Sequence, residues 1–199
     1  MNKLTKSDLL SLEEYSLNRD RLREEVLVLK KDRKIQIGIN VTLLFENLKT
    51  IKYQIQEMLR IEKIFEPNGI QEELDAYNPL IPDGSNLKAT MFIEFQKESV
   101  RKEKLESLVG IEDKVWLQVG ENDRIFAIAD EDLERSSHDK TSAVHFLRFE
   151  LSNLMIKDLQ SGSTLFAGID HSEYNVRTAE IERKTSDSLL EDLNEILTS

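Results

Sequence analysis

The hydrophobic period of the chain changes abruptly after Lys34, and this change limits the folds that are available to it. Before that point, Leu22, Val26 and Leu29 recur three and four residues apart, which is the spacing of one face of an α-helix. After it, apolar and polar residues alternate from Ile35 to Phe45, a pattern typical of a half-buried strand. A chain that carries both periods must pack helices against a sheet.

The two periods continue along the chain and predict an α+β fold. Helical patterns cover 7–31, 55–65, 70–77, 97–108, 152–160 and 187–197, and strand patterns cover 35–45, 51–55, 87–95, the hairpin 114–130, 142–151 and 163–170. About seven strands, joined mostly by hairpins, favour one mainly antiparallel sheet. We therefore expect this sheet with an N-terminal helix, an inserted helical hairpin over 55–77 and a C-terminal helix.

Length and composition favour a single domain. A chain of 199 residues with 39% hydrophobic residues can fill a core without disulfides or a structural metal. Polar linkers are predicted over 131–140 and 173–186, but neither divides the chain into parts that could each enclose a core. We predict one α+β domain over 1–199, whose last helix, 187–198, can be loosely attached.

Charge and cysteine usage exclude several classes of function. The chain has no cysteine, which excludes disulfides, thiolate zinc sites, cysteine-ligated iron–sulfur clusters and cysteine nucleophiles. Its net charge of -11 repels nucleic acid, and only Lys30 to Lys34 is locally basic. The pattern contains no signal peptide and no long apolar run. We expect a cytoplasmic protein that binds neither nucleic acid nor a membrane.

The common catalytic motifs are missing from the sequence. Its seven glycines form no phosphate-binding P-loop and no dinucleotide-binding turn. The sequence has no G-x-S-x-G nucleophile elbow and no H-E-x-x-H zinc helix. No cofactor is evident, and whether the protein is an enzyme stays uncertain, with a non-catalytic role favoured.

Carboxylates on apolar faces of the predicted helical hairpin are the main candidates for a site. On a helical wheel over 55–65, Glu57 and Glu62 fall inside the apolar arc, and Glu73 shares a face with Tyr77 on the next helix. A carboxylate in such a place needs a cation, a metal or hydrogen-bond donors. One interpretation is a pocket lined by the three glutamates, with Tyr77 at its rim, for a divalent metal, a basic ligand or acid–base chemistry.

The second interpretation of these carboxylates is structural. Glu57 and Glu62 lie at the edges of the apolar stripe, where carboxylates are usually solvated or paired with arginines such as Arg60 or Arg148. We favour this interpretation over the pocket. Arg148 lies beside apolar neighbours on a predicted strand, so it is a candidate for a buried cation that pairs with one of the glutamates.

The histidines allow a metal site but do not require one. Alternation places His145 as the one polar member of an apolar strand face, and His171 ends the next strand. With a hairpin glutamate, the two could form a metal triad. No ligand-like spacing joins them, and His138 falls in a polar loop, so a hydrogen-bonded core histidine is the favoured interpretation of His145.

Five strings carry a family resemblance. "VTLLFEN", "QIQEMLR", "AYNPLIP", "LVGIEDKVWLQV" and "TSAVHFLRFEL" together resemble an uncharacterised bacterial family, the domain of unknown function 3501, over nearly the whole chain. The resemblance supplies no catalytic residues. Such proteins are often encoded near rubrerythrin-like and iron–sulfur oxidoreductase proteins, which implies a redox setting.

Three functions follow as expectations from the residues and the resemblance. The first is an accessory or binding protein that docks a redox partner through an acidic face, with the helical hairpin as the recognition surface. The second is a metal-binding protein or enzyme that uses the hairpin carboxylates. The third is a structural homodimer without a small ligand, joined through a sheet edge or a helix face.

Overall fold

The computed structural model describes residues 3–129 and 140–193 of the chain. The strands in these ranges are β1 (Lys34–Ile37), β2 (Val41–Phe45), β3 (Asn86–Ile93), β4 (Val115–Val119), β5 (Ile125–Phe126), β6 (Ile128–Ala129), β7 (Val144–Glu150), β8 (Leu165–His171) and β9 (Tyr174–Arg177). The α-helices are α1 (Leu12–Lys31), α2 (Leu48–Ile61), α3 (Pro67–Tyr77), α4 (Glu98–Ser107), α5 (Asn153–Gln160) and α6 (Arg183–Leu190). No helix within the described ranges has both the length and the apolar character that a membrane span requires.

The predicted α+β class is confirmed, with antiparallel pairing and helices towards both ends of the chain. The described strands form two sheets, however, and not the single sheet that we expected: β1-β2-β3-β7-β6 and β5-β4-β8-β9. The chain passes from one sheet to the other at Ala127, because β5 pairs with β4 whereas β6 pairs with β7. The strand pattern is continuous over these residues, so the sequence alone does not show this change of sheet.

One apolar core lies between the inward faces of the two sheets. Ile37, Leu43 and Met91 of the five-stranded sheet and Leu117 and Ile169 of the four-stranded sheet are all fully buried in it. Because strand side chains alternate in direction, the intervening residues of each strand face outwards. This geometry leaves the outer face of the five-stranded sheet available to the helices.

The alternating segment 35–45 is two strands and not one. Gly38 adopts φ +65°, a left-handed conformation that lets the chain reverse between β1 and β2. The Tyr174 hydroxyl donates a hydrogen bond to the Ile37 carbonyl at 2.8 Å. A Cβ added at Gly38 would lie 2.5 Å from the hydroxyl oxygen of Tyr174. Tyr174 begins β9, so the predicted polar linker over 173–186 contains a strand.

The predicted strand over 51–55 is wrong, since these residues belong to α2. Asn47 caps this helix: its side-chain oxygen accepts hydrogen bonds from two backbone N–H groups of the first turn, each at 3.0 Å. Ile51, Ile55 and Leu59 are buried four residues apart on one face. Over a short window, the alternation that includes Ile51 and Ile55 is compatible with either period.

The helices α1, α2 and α3 form a layer with its own apolar cluster. Its buried members are Leu4, Ile51, Ile55, Leu59, Leu74 and Ile81. The helix α3 ends at Tyr77 with Asn78 as its C-cap, as the Asn78-Pro79 pair predicts, but it begins at Pro67. The inserted helical hairpin is therefore present and packs against α1.

The C-terminal helix α6 begins at Arg183, four residues before the predicted start, and packs on the main core through Leu189. Arg33 is fully buried beneath it and donates hydrogen bonds to the carbonyl oxygens of Phe45 and Ser188, at 3.0 and 2.6 Å. It also pairs with Asp192.

Most of the predicted linker 131–140 and the final residues of the predicted helix 187–198 lie outside the described residues. The single-domain organisation stays a prediction.

Candidate functional site

Glu57 lies at the centre of a hydrogen-bonded cluster between α1 and α2. Its carboxylate accepts hydrogen bonds from Arg19 at 2.8 and 2.9 Å and from the Tyr15 hydroxyl at 2.8 Å. Arg60, one turn further along α2, adds weaker contacts at 3.2 and 3.4 Å. These donors occupy the lone pairs of the carboxylate, which accommodate about four hydrogen bonds.

The electrostatics of the cluster follow from this geometry. Hydrogen bonds from Arg19 are the main cause that lowers the pKa of Glu57 to about 2. Burial raises the pKa of Tyr15, and the hydrogen bond to Glu57 raises it further. Glu57 is therefore ionised and satisfied by protein donors, which is the arrangement that the structural interpretation predicts for this residue. Its contact with Arg60 was expected, whereas Arg19 and Tyr15 were missed.

The signal for the missed partners lies in the spacing of α1. Tyr15 and Arg19 are four residues apart, so they occupy one helical face, and the structure turns that face towards α2. Sequence alone does not show which helix this face meets. The hydroxyl of a fully buried tyrosine nevertheless needs a hydrogen-bond partner, and a carboxylate can accept from both this hydroxyl and an arginine one turn away.

Glu62 and Glu73 lie apart from this cluster, on the hairpin formed by α2 and α3. Glu62 is exposed at the end of α2, and Glu73 is half-buried on α3. Burial raises the pKa of Glu73, and the neighbouring carboxylates Glu62 and Glu72 raise it further. Tyr77 is half-buried against the apolar cluster of the helical layer. The three glutamates of the predicted pocket are therefore divided. Glu57 contacts α1, whereas the charges of Glu62 and Glu73 interact with each other.

The turn between α2 and α3 also exposes apolar side chains. The Ile64 N–H donates to the Leu59 carbonyl at 2.9 Å, and Lys63 adopts φ +55°, which together form a Schellman-type helix end. Ile61 is 55% exposed and Phe65 is 67% exposed. We name residues 61–66 together with Glu73 the acidic tip, because Glu62, Glu66 and Glu73 outnumber Lys63 there.

His145 lies on β7 and takes no part in the hydrogen bonds of the Glu57 cluster. It is fully buried on the inward face of β7, and its Nε2 lies 2.8 Å from the Thr141 hydroxyl and 3.0 Å from the Ser142 carbonyl. The Thr141 hydroxyl also donates to Glu112 at 3.1 Å. This is the arrangement of a hydrogen-bonded core histidine.

The other residues of the predicted metal triad are not assembled in the described ranges. The Nε2 of His171 lies 3.2 Å from the Val109 carbonyl, and its Nδ1 accepts from the Glu173 N–H at 3.2 Å. Arg148 was the candidate buried cation for a hairpin glutamate and not a member of the triad; its side chain is 25% exposed on the outward face of β7, and it pairs with Glu150 of the same strand. Among residues 3–129 and 140–193, no three histidine, aspartate or glutamate side chains are grouped to hold a metal ion. His138 lies outside these ranges.

Comparisons with known proteins place the chain in a family. The family model described as a protein of unknown function, DUF3501, matches residues 3–193. The chain belongs to this family. A crystal structure of a novel protein of unknown function from Burkholderia pseudomallei K96243 is 51% identical, with a TM-score of 0.93. The alignment covers 97% of this chain and 100% of that one. No curated protein matches the sequence.

Proposed function

We propose that this DUF3501 member is a non-catalytic binding protein that docks a redox protein through its acidic tip. The observation that carries the proposal is the exposure of Ile61 and Phe65 in the same turn as the carboxylates of Glu62 and Glu66, with Glu73 close enough for its charge to interact with that of Glu62. Adjacent exposed apolar side chains with a polar rim are typical of protein-binding surfaces. The rim selects a partner with a basic surface around an apolar pocket.

Local contacts brace the turn of the acidic tip, which supports this role. The Schellman-type turn fixes the direction of the chain between the two helices. A Cβ added at Gly69 would lie 2.8 Å from the Ile64 side chain, so the turn and α3 are closely packed. The Glu57 cluster fixes α2 on α1. A preorganised surface loses little conformational entropy on binding.

The class of partner comes from the family resemblance together with the composition. The resemblance implies that family members are often encoded near rubrerythrin-like and iron–sulfur oxidoreductase proteins. A chain without cysteine cannot itself provide thiolate ligands for an iron–sulfur cluster. A protein of this composition would act on the redox proteins by binding them. The proposal therefore predicts a complex without any turnover by this chain alone.

The test is a direct binding titration with purified redox proteins encoded beside this chain. We expect binding at low salt that weakens at high salt, since exposed charge pairs are screened. Phe65→Ala, and separately the double variant Glu62→Lys/Glu66→Lys, should each weaken binding by about tenfold or more. Leu17→Ala is the matched control, because Leu17 is 87% exposed on α1 outside the tip.

Two results would contradict the proposal. One is a lack of affinity for every neighbouring redox protein at low salt. The other is binding that the tip variants leave unchanged, which would place the interface elsewhere. Circular dichroism of each variant shows whether the helical layer remains folded, so that a loss of binding is not confused with unfolding.

A further inference from the structure

A groove with a volume of about 840 Å³ lies between α1 and the outward face of the five-stranded sheet. Leu44 of β2 and Phe92 of β3 lie on its sheet side, and both are half-buried. On its helix side, Leu27 is 46% exposed and Val28 is 54% exposed. Both walls of the groove therefore present apolar side chains, and its size falls within the range of about 300–1,000 Å³ that is usual for small-molecule sites.

One end of this groove is cationic. Lys30 and Lys31 end α1, and Lys34 begins β1 opposite Leu44 of β2. Within the part of the chain that the structure describes, no ion pair engages any of these three ammonium groups. In a chain with a net charge of -11, such a group of cations creates a local positive potential that attracts an anion.

The remainder of the lining carries mainly negative charge. Asp20 and Glu24 precede the lysines on α1, with Arg23 between them. Glu94 accepts a hydrogen bond from the Thr42 hydroxyl at 3.3 Å, on the sheet side of the groove. The helical wall from Asp20 to the end of α1 is about 16 Å long, at 1.5 Å per residue. An extended apolar chain fits along such a wall, whereas a second anionic group at the far end would be repelled.

We propose that this groove binds a fatty acid, with its single carboxylate at the lysines and its alkyl chain along Leu27, Val28, Leu44 and Phe92. The lysines supply charge-assisted hydrogen bonds to the carboxylate. The apolar walls gain from the loss of water-exposed area when the chain covers them. The groove and the acidic tip share no residue, so this site is independent of the proposed protein docking.

The first test is a displacement titration on the purified full chain. A conjugated polyene fatty acid serves as the probe, because its fluorescence rises in apolar surroundings. We expect palmitate to displace it. The dicarboxylic acid of the same length should bind about tenfold more weakly or worse, and an alkyl trimethylammonium ion of that length should not compete. Equal competition by all three amphiphiles would show non-specific adsorption and overturn the proposal.

The second test uses variants on both parts of the groove. Lys31→Glu/Lys34→Glu should weaken palmitate binding by about tenfold or more, and so should Val28→Asp in the apolar wall. Leu17→Asp is the matched control, since Leu17 is exposed on the same helix outside the groove, and it should bind as the wild type does. All the altered side chains are solvent-accessible, and circular dichroism verifies the fold.

Two further outcomes would overturn the assignment. The first is a probe that does not bind the wild type, or that binds all variants equally. The second is displacement by an acidic amphipathic peptide at lower concentration than by palmitate, which would make the groove a peptide site. Binding of palmitate that depends on both the lysines and Val28 supports a fatty-acid site.

Discussion

Replacing Glu57 by glutamine should destabilise the protein, and the size of the effect follows from its surroundings. The pKa of Glu57 is lowered from its ordinary 4.5 to about 2, chiefly by hydrogen bonds from Arg19. Each pKa unit corresponds to about 1.36 kcal/mol, so ionised Glu57 contributes at most about 3 kcal/mol to the free energy of unfolding. The carboxylate is 14% exposed and Arg19 is 30% exposed, so solvent screening reduces our expectation to about 2 kcal/mol.

The dependence on pH distinguishes this mechanism from a general packing defect. Because the folded pKa lies below the ordinary value, the contribution of Glu57 is complete above pH 4.5 and is lost as the pH falls towards 2. The stability difference between the wild type and Glu57→Gln should therefore be about 2 kcal/mol at about pH 7 and much smaller at about pH 3. Glutamine keeps an oxygen that can accept from Tyr15, so packing is preserved.

The assay is urea unfolding of both proteins, followed by circular dichroism for the helices and by fluorescence of the single tryptophan, Trp116. Glu73→Gln is the matched control with the opposite sign. Since burial and the Glu62 charge raise the pKa of Glu73, ionisation at neutral pH costs stability, and this variant should be slightly more stable there. A Glu57→Gln protein as stable as the wild type at neutral pH, or a deficit unchanged in acid, would refute the reasoning.

Three further substitutions test the fold, each measured by urea unfolding. Arg33→Ala should lower the free energy of unfolding by about 3–5 kcal/mol, because it leaves the largely buried carboxylate of Asp192, two residues after the end of α6, without its partner. Gly168→Ala should cost about 3 kcal/mol and shift Trp116 fluorescence, since the new Cβ would lie 2.2 Å from that ring. Lys63→Gly should gain about 0.5–1 kcal/mol, because glycine adopts positive φ without strain. An unchanged urea midpoint in any of the three would contradict its stated cause.

Long segments with one clear period could be predicted from the sequence. The helix α1, the exposed helix α4 and the strand β7 lie within the predicted segments, because the chemistry that specifies them is local. The strand β9 was missed, since Tyr174 to Arg177 has only four residues, too few to establish an alternating pattern, and pairs at the edge of a sheet. Tyr174 of this strand packs against the turn at Gly38, which is far away along the chain.

The candidate site was predicted in part for the same reason. The position of Glu57 on an apolar stripe shows that it requires a partner, and Arg60 is within reach on the same helix. The stronger partner, Arg19, is 38 residues away along the chain and is brought near by the packing of α1 on α2. Local periodicity specifies that a charge must be satisfied, but tertiary packing decides which residue satisfies it.

The buried position of Arg33 has a consequence for the order in which the chain folds during synthesis. Its guanidinium reaches the carbonyl of Ser188, 155 residues later, and the carboxylate of Asp192, 159 residues later. A ribosome must therefore make almost all of the described chain before this cation has its full set of partners. Until then, burial of Arg33 would leave an uncompensated charge, so nascent β1 and β2 gain their final stability only when α6 emerges.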